Sequence, residues 1–152
     1  MSSVVGVSGV EASVFNEFCT AGLWPGVSGA LAATLEEAGI RGPSAVTEKA
    51  LAELPGVTDK RARTLYSAWI GAHQSFELAT LLLPHGLPIR WVRRLTSALG
   101  EAVAVTLAAD PWQLLVLPDA QVAQADAFAR ALQPDVSPTD PRRLRALVVR
   151  TL

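Results

Sequence analysis

A thirty-residue repeat constrains this chain more than any other feature of its sequence. Gly26, Gly56 and Gly86 stand thirty residues apart, and small apolar residues and leucines follow each of them at fixed distances. Three segments therefore align without a gap: "PGVSGALAATLEEAG", "PGVTDKRARTLYSAW" and "HGLPIRWVRRLTSAL". A weaker fourth copy, "PDAQVAQADAFARAL", has Asp119 at the glycine position. Agreement of several columns at one period indicates a repeated supersecondary unit.

Each copy has the pattern of a tight turn followed by an amphipathic helix. In the second copy, apolar residues recur at the spacing of one helix face; they are Ala62, Leu65, Tyr66, Trp69 and Ile70. Thr58 is suited to cap the start of this helix. Pro88 fits the first turn of the third helix, and Gly39 and Gly100 are typical of helix ends.

Further helical patterns lie between and after the copies. They cover "TEKALAEL" (47–54), "SFELATLLL" (75–83) and "EAVAVTLAA" (101–109), and Asp110 and Asp140 each precede a proline that favours a helix start. The only β-like piece, "VVGVSGV" (4–10), is either a strand or a mobile end. We therefore predict an all-α chain of helix pairs joined by short turns. The predicted helical domain covers 12–152, outside a possible mobile segment at 1–11.

Composition limits the function classes that remain. Half of the 152 residues are apolar, which is enough for a core, and 13 basic residues against 14 acidic ones argue against a wholly basic nucleic-acid clamp. A local basic face remains compatible with this balance. Cys19 is the only cysteine, so we expect a small buried residue in a reducing cytoplasm, without an intrachain disulfide. No segment has the length of apolar sequence that a membrane helix needs.

The apolar-Pro-Gly-apolar turn between two short helices resembles the helix-hairpin-helix motif. The succession "AGLWPGVSGALAATLEEAG", "LAELPGVTDKRARTLYSAW" and "LLLPHGLPIRWVRRLTSALGEAVAVTLAADPWQLL" resembles the helical N-terminal region of RecD-like (RecD/TraA-type) DNA helicases. "ALGEAVAVTLAADPWQLL", followed by the weaker fourth copy, is the most specific part, and the resemblance covers about 12–152. It implies one compact domain of tandem repeats at about 12–41, 44–72, 75–100 and 101–133, with a C-terminal helix at about 140–152.

The resemblance also implies a function. It implies DNA as the partner, single-stranded or containing a junction, a role in DNA repair and recombination, and an ATPase core that follows in the parent helicase. The chain departs from the family where a second glycine is usual, at Ser28, Thr58, Pro88 and Gln121. No GxxxxGK[ST] motif occurs in the chain. The end inside a helical pattern favours a fragment of a helicase, whereas the start at Met1 favours a natural beginning.

A glycine turn just before a helix can bind a phosphate, because backbone N–H groups and the positive helix end point outward together. The second turn combines this backbone with three basic side chains, and its predicted DNA-binding residues are Gly56, Val57, Thr58, Lys60, Arg61 and Arg63. The first turn offers Gly26, Val27, Ser28 and Gly29, but its helix carries Glu36 and Glu37. The third offers Gly86, Arg90, Arg93 and Arg94, although Pro88 lacks an N–H.

The sequence predicts no catalytic residue, metal site or cofactor. His73 and His85 have no second ligand at helical spacing. Lys60 stands where some DNA glycosylases carry a catalytic lysine, but positions 79 and 80 are Ala79 and Thr80, so the assisting carboxylate is missing. Two hypotheses remain: a DNA-binding module that does not read sequence, or a scaffold for protein contacts in which the turns are packing corners.

Overall fold

Helices form the regular structure of this chain in a computed structural model that describes residues 9–152. They are α1 (Gly9–Thr20), α2 (Gly29–Glu37), α3 (Glu48–Ala52), α4 (Asp59–Gly71), α5 (His73–Leu82), α6 (Trp91–Leu99), α7 (Val103–Ala109), α8 (Val122–Leu132) and α9 (Pro141–Thr151). Short 3₁₀ helices cover Pro43–Ala45, Leu83–His85 and Pro111–Val116. Residues 9–152 contain no β-strand, which confirms the all-α prediction.

The N-terminal β-like or mobile segment falls only partly within this range. Residues 1–8 lie outside the described residues, whereas Gly9 and Val10 already belong to α1. No described helix is both long and apolar enough to cross a bilayer.

Side-chain caps explain where several helices begin. The hydroxyl oxygens of Ser28, Thr47 and Thr58 accept hydrogen bonds from the N–H three residues later, at 3.0 to 3.1 Å. These bonds satisfy a donor that the first helical turn leaves unpaired. Asp140 caps α9 through the N–H of Arg142. Asp110 caps a 3₁₀ helix, Pro111–Val116, in the same way.

The third repeat departs from the predicted helix start. Its helix α6 begins at Trp91, five residues after Gly86, whereas α2 and α4 begin three residues after Gly26 and Gly56. Pro88 therefore precedes the helix, and its predicted place in the first helical turn was wrong. The cause is that Gly86 still closes the preceding 3₁₀ helix, with the N–H of Leu87 bonded to the Leu82 carbonyl at 3.3 Å.

The chain divides into two compact units, at Ile89 and Arg90. The prediction of one domain over 12–152 stays a prediction. In the first unit, α1 packs on α2 and α5, and α4 packs on α3 and α5. Its core is an aromatic cluster with ring centroids 5.0 to 6.2 Å apart, mostly edge to face, formed by Phe15, Phe18, Trp24, Trp69 and Phe76.

One predicted member of the α4 apolar face is not in this core. Ala62, Leu65 and Trp69 are buried, but Ile70 is 56% exposed, so its assignment to the buried face was wrong. A helix turns about 100° per residue, which carries Ile70 well away from Trp69 and the line of buried side chains.

The second unit is built around buried Trp91, Trp112 and Phe128. The 3₁₀ helix Pro111–Val116 packs against α6, α7, α8 and α9. Helix α9 has no fully buried residue, and arginines bond it to other parts of the unit. Arg143 pairs with Asp126 at 2.9 Å, and Arg150 donates to the Pro118 carbonyl at 2.7 Å.

Candidate nucleic-acid interface

The backbone of the second turn, 54–58, has the conformation predicted for an anion site. Gly56 has φ +77°, a left-handed conformation that favours glycine. The N–H of Val57 donates to the Leu54 carbonyl at 3.1 Å and closes the turn. No described backbone carbonyl accepts the N–H groups of Thr58, Asp59 and Lys60. These donors stand at the positive end of α4 and can bind an anion.

The first turn, 24–28, repeats this geometry. Gly26 has φ +92°, and the N–H of Val27 donates to the Trp24 carbonyl at 3.1 Å, the same length as in the second turn. The N–H of Ala32 bonds to the Ser28 carbonyl at 2.8 Å, as that of Ala62 does to Thr58. The repeat in the sequence thus corresponds to a repeated backbone conformation at these two turns.

The two turns differ in their surroundings. A Cβ at Gly26 would lie 3.1 Å from Cδ2 of Leu65, whereas a Cβ at Gly56 would meet no atom within 4 Å. The buried indole N–H of Trp24 also donates to the carbonyl of Leu65 at 2.9 Å. The first turn is therefore fixed against the middle of α4, and the second turn is open.

The basic side chains after the second turn are accessible. Lys60, Arg61 and Arg63 are exposed, and none of them forms an ion pair with a described residue. Asp59, also exposed, is the acidic residue of this first helical turn. The first turn of α2 contains no basic residue, and its exposed Glu36 and Glu37 lie near the other end of the helix. Among the two equivalent turns, only the second combines free N–H groups with nearby positive charge.

The third turn does not share this backbone. Gly86 (φ +76°) ends a helix, because its own N–H bonds to Leu83 and the next N–H bonds to Leu82. Arg90 stands at the start of α6 without a side-chain cap, and Arg93 is exposed on that helix. Arg94 forms a two-bond ion pair with Asp119, with its Nη1 3.0 Å from Oδ2 and its Nη2 2.8 Å from Oδ1.

The fourth turn, 117–121, is occupied by contacts within the second unit. The N–H of Ala120 closes the turn on the Leu117 carbonyl at 3.1 Å, and Asp119 has no positive φ. The Arg94 guanidinium lowers the pKa of the Asp119 carboxyl from 3.8 to about 2. Arg150 of α9 donates to the carbonyls of Leu117 and Pro118. This turn acts as a packing corner.

The buried indole of Trp91 lies beside the fourth turn. Its N–H makes no hydrogen bond of normal geometry to the described residues, yet it lies close enough to Asp119 to contribute to the lowered pKa of that carboxyl.

A family model described as the ATP-dependent RecD2 DNA helicase HHH domain matches residues 72–152, more than half of the chain. The chain belongs to this family. The match contains "ALGEAVAVTLAADPWQLL" and the fourth turn, and it confirms the resemblance to RecD-like helicases. No curated protein and no solved structure matches the chain.

The family match divides the repeat array of this RecD2-type HHH region unevenly. The first and second turns precede residue 72, whereas α5, the third and fourth turns and α9 fall inside the matched range. DNA contact at specific residues therefore stays a prediction. The second turn, which is the more open of the two equivalent turns, lies outside the matched residues.

The four tryptophans are buried in the cores of the two units. Trp24, Trp69, Trp91 and Trp112 are at most 3% exposed, so none presents a face on which a base could stack. Burial raises the pKa of the Cys19 thiol to about 12, which agrees with the predicted small buried residue. Sequence reasoning missed the long-range arginine bonds of α9, because the partners of Arg143 and Arg150 at Asp126 and Leu117 lie 17 and 33 residues away along the chain.

Proposed function

We propose that this chain is a DNA-binding module that does not read sequence, the N-terminal helix-hairpin-helix region of a RecD-like ATP-dependent DNA helicase. Membership in the RecD2 HHH family supports the helicase assignment. ATP use and unwinding belong to a helicase core, in the same protein or in a bound one, since the sequence of this chain has no GxxxxGK[ST]. Such a protein would act in DNA repair and recombination in the cytoplasm.

The main support for the proposal comes from the second turn. Its N–H groups at Thr58, Asp59 and Lys60 are unpaired within the described backbone, and Gly56 leaves the approach open. Arg61 and Arg63 add exposed positive charge within the first two turns of α4. Amides and basic side chains of this kind contact phosphates and position a backbone, without distinguishing bases.

The other turns have secondary roles in the proposal. The first turn offers the same amide arrangement at Ser28 and Gly29, without adjacent basic charge. Arg90 and Arg93 of the third repeat supply added attraction for the backbone. Arg94 contributes least, because Asp119 already neutralises its charge.

The test measures binding of fluorescein-labelled oligothymidylate and a forked duplex by anisotropy, at about 50 and about 200 mM salt. The variant Lys60→Ala/Arg61→Ala/Arg63→Ala should weaken binding and reduce the slope of log K against log salt by about 2. The control Arg41→Ala/Lys49→Ala/Arg130→Ala removes the same charge from other exposed sites. It should reduce the slope of log K against log salt less than the second-turn variant does. Equal losses in both variants would contradict a site at the second turn.

The alternative function is a scaffold for protein contacts. The packing of the first turn on Leu65 and the bonds of the fourth turn with Arg94 and Arg150 favour it, because both turns act as corners. If the wild-type chain shows no salt-dependent DNA binding, this function replaces the DNA-binding proposal.

A further inference from the structure

The second unit contains an apolar cavity of about 130 Å³ between the 3₁₀ helix Pro111–Val116 and α9. Its walls include Trp112, Leu115, Val116, Ala146 and Val149. An apolar cavity of about 150 Å³ is known to hold one benzene molecule. The space therefore suits one phenyl or branched aliphatic side chain.

The rim of this cavity is positive. Arg142, Arg145 and Arg150 line it, and Asp110 is the one acidic residue among the lining side chains described. Arg142 is held by Asp140. Arg145 is exposed and forms no ion pair with a described residue. The rim thus favours negative charge on whatever enters the cavity.

We propose that this cavity binds an acidic peptide segment of another protein, which inserts one large apolar side chain and places carboxylates against Arg145 and Arg150. The proposal does not depend on DNA binding at the second turn. Val116 and Val149 are 47% and 64% exposed at the mouth, and they extend the apolar surface available to such a side chain. Burial of apolar area provides the affinity, and the arginines select acidic neighbours.

Two other occupants fit the surroundings less well. A nucleic-acid strand could place phosphates against the arginines but would leave the apolar cavity empty, because Trp112 is only 2% exposed and already lies under the Arg142 guanidinium, 5.3 Å from its ring centre, where no base can stack. A second copy of this chain docked through the same surface of α9 would bring Arg145 and Arg150 against their counterparts, and like charges at an interface oppose association.

The experiment uses the full chain and a fluorescein-labelled ten-residue peptide of aspartate, glycine and serine with a single phenylalanine. Binding is followed by anisotropy. Replacement of the phenylalanine by serine, or of the aspartates by asparagine, should weaken binding about tenfold, because each change removes one of the two recognised features. Peptide binding should also weaken as salt rises.

Two pairs of variants locate the site. Arg145→Glu reverses the rim charge, and its control Arg130→Glu changes an exposed arginine of α8 outside the cavity. Ala146→Leu fills the cavity, and its control Ala123→Leu adds the same group on an exposed position of α8. Each cavity variant should lose about tenfold in peptide affinity while its control stays within about twofold. Circular dichroism melting checks that all four variants fold.

Peptide binding that depends on phenylalanine, aspartate, Arg145 and Ala146 supports the proposal. Absence of peptide binding, or equal binding by the cavity variants and their controls, overturns it. The proposal is also overturned if the cavity variants instead lose oligothymidylate binding, or if they alter the sedimentation coefficient of a self-associating wild type. The Lys60→Ala/Arg61→Ala/Arg63→Ala variant should bind the peptide normally, which separates this proposal from the DNA-binding one.

Discussion

Arg94 and Asp119 form a two-bond ion pair, 2.8 Å between Nη2 and Oδ1, that joins a helix of the third repeat to the residue replacing glycine in the fourth. Both side chains remain more than 40% exposed. The pair links α6 to the fourth turn, so one arginine predicted for DNA contact is also engaged in an ion pair within the protein. The residue at the glycine position of the fourth copy is thus the partner that holds this arginine.

The first prediction concerns acid stability. The Asp119 pKa is lowered from 3.8 to about 2 by Arg94, so the ionised carboxyl stabilises the folded state above its ordinary pKa, and that contribution is lost as pH falls through about 2. Asp119→Asn should lower the melting temperature slightly above a pH of about 5, since exposed pairs contribute little. The difference from wild type should vanish toward pH 2 in melting curves. A difference that grows on acidification would contradict this assignment.

The second prediction concerns the contribution of Arg94 to DNA affinity. Arg94→Ala/Asp119→Ala removes the pair without changing net charge, and it should leave the salt slope for oligothymidylate unchanged. Arg61→Ala removes an unpaired cation and should lower that slope by about 0.7, the value for one phosphate contact on a single strand. Anisotropy titrations at several salt concentrations measure both slopes. A reduced slope in the double variant would show that Arg94 contacts DNA.

The sequence predicted the helix class, the cap at Thr58 and the helix starts at Asp110 and Asp140, because these depend on neighbouring residues. Gly26 and Gly56 each precede a capping hydroxyl by two positions, and both turns have the expected geometry. Gly86 occupies the same column, yet it ends a helix, because its own N–H and that of Leu87 bond to the Leu83 and Leu82 carbonyls, and Pro88 stands where the other two turns have a capping hydroxyl. A repeat in residue type does not specify which carbonyl each N–H bonds.

Features that join distant residues were not predictable from the pattern. The bond from the Trp24 indole to Leu65 spans 41 residues, and the Arg94–Asp119 pair spans 25. Ile70 fits a helical apolar pattern, but its exposure depends on how α4 packs against other helices. The open space beside Gly56 and the close approach of the Leu65 side chain to Gly26 likewise depend on tertiary packing.

The third prediction concerns the buried indole of the first turn. Trp24→Phe removes the 2.9 Å hydrogen bond to the Leu65 carbonyl and leaves space in the aromatic cluster. We expect the free energy of unfolding to fall by about 2 kcal/mol, from one lost hydrogen bond and one small cavity. Urea denaturation followed by circular dichroism measures this. An unchanged midpoint would mean that the first turn is not anchored through this bond.

The fourth prediction compares the two equivalent glycines. Alanine at either position must adopt a left-handed backbone, which costs about 1 to 2 kcal/mol. Gly26→Ala should destabilise the protein more than Gly56→Ala, because its Cβ would also press on Leu65 at 3.1 Å. Gly56→Ala should instead weaken DNA binding more, because the methyl group and the strained turn disturb the open approach to the N–H groups at Thr58 and Lys60.

Melting curves and anisotropy titrations on the same two variants measure both effects of this comparison. Each glycine serves as the control for the other, since the substitution and the backbone conformation are the same. The expected result is a crossed pattern, with the larger loss of stability at Gly26 and the larger loss of DNA affinity at Gly56. Equal losses of affinity would assign the phosphate contacts to both turns, and a greater loss at Gly26 would reverse the proposed order of the two turns.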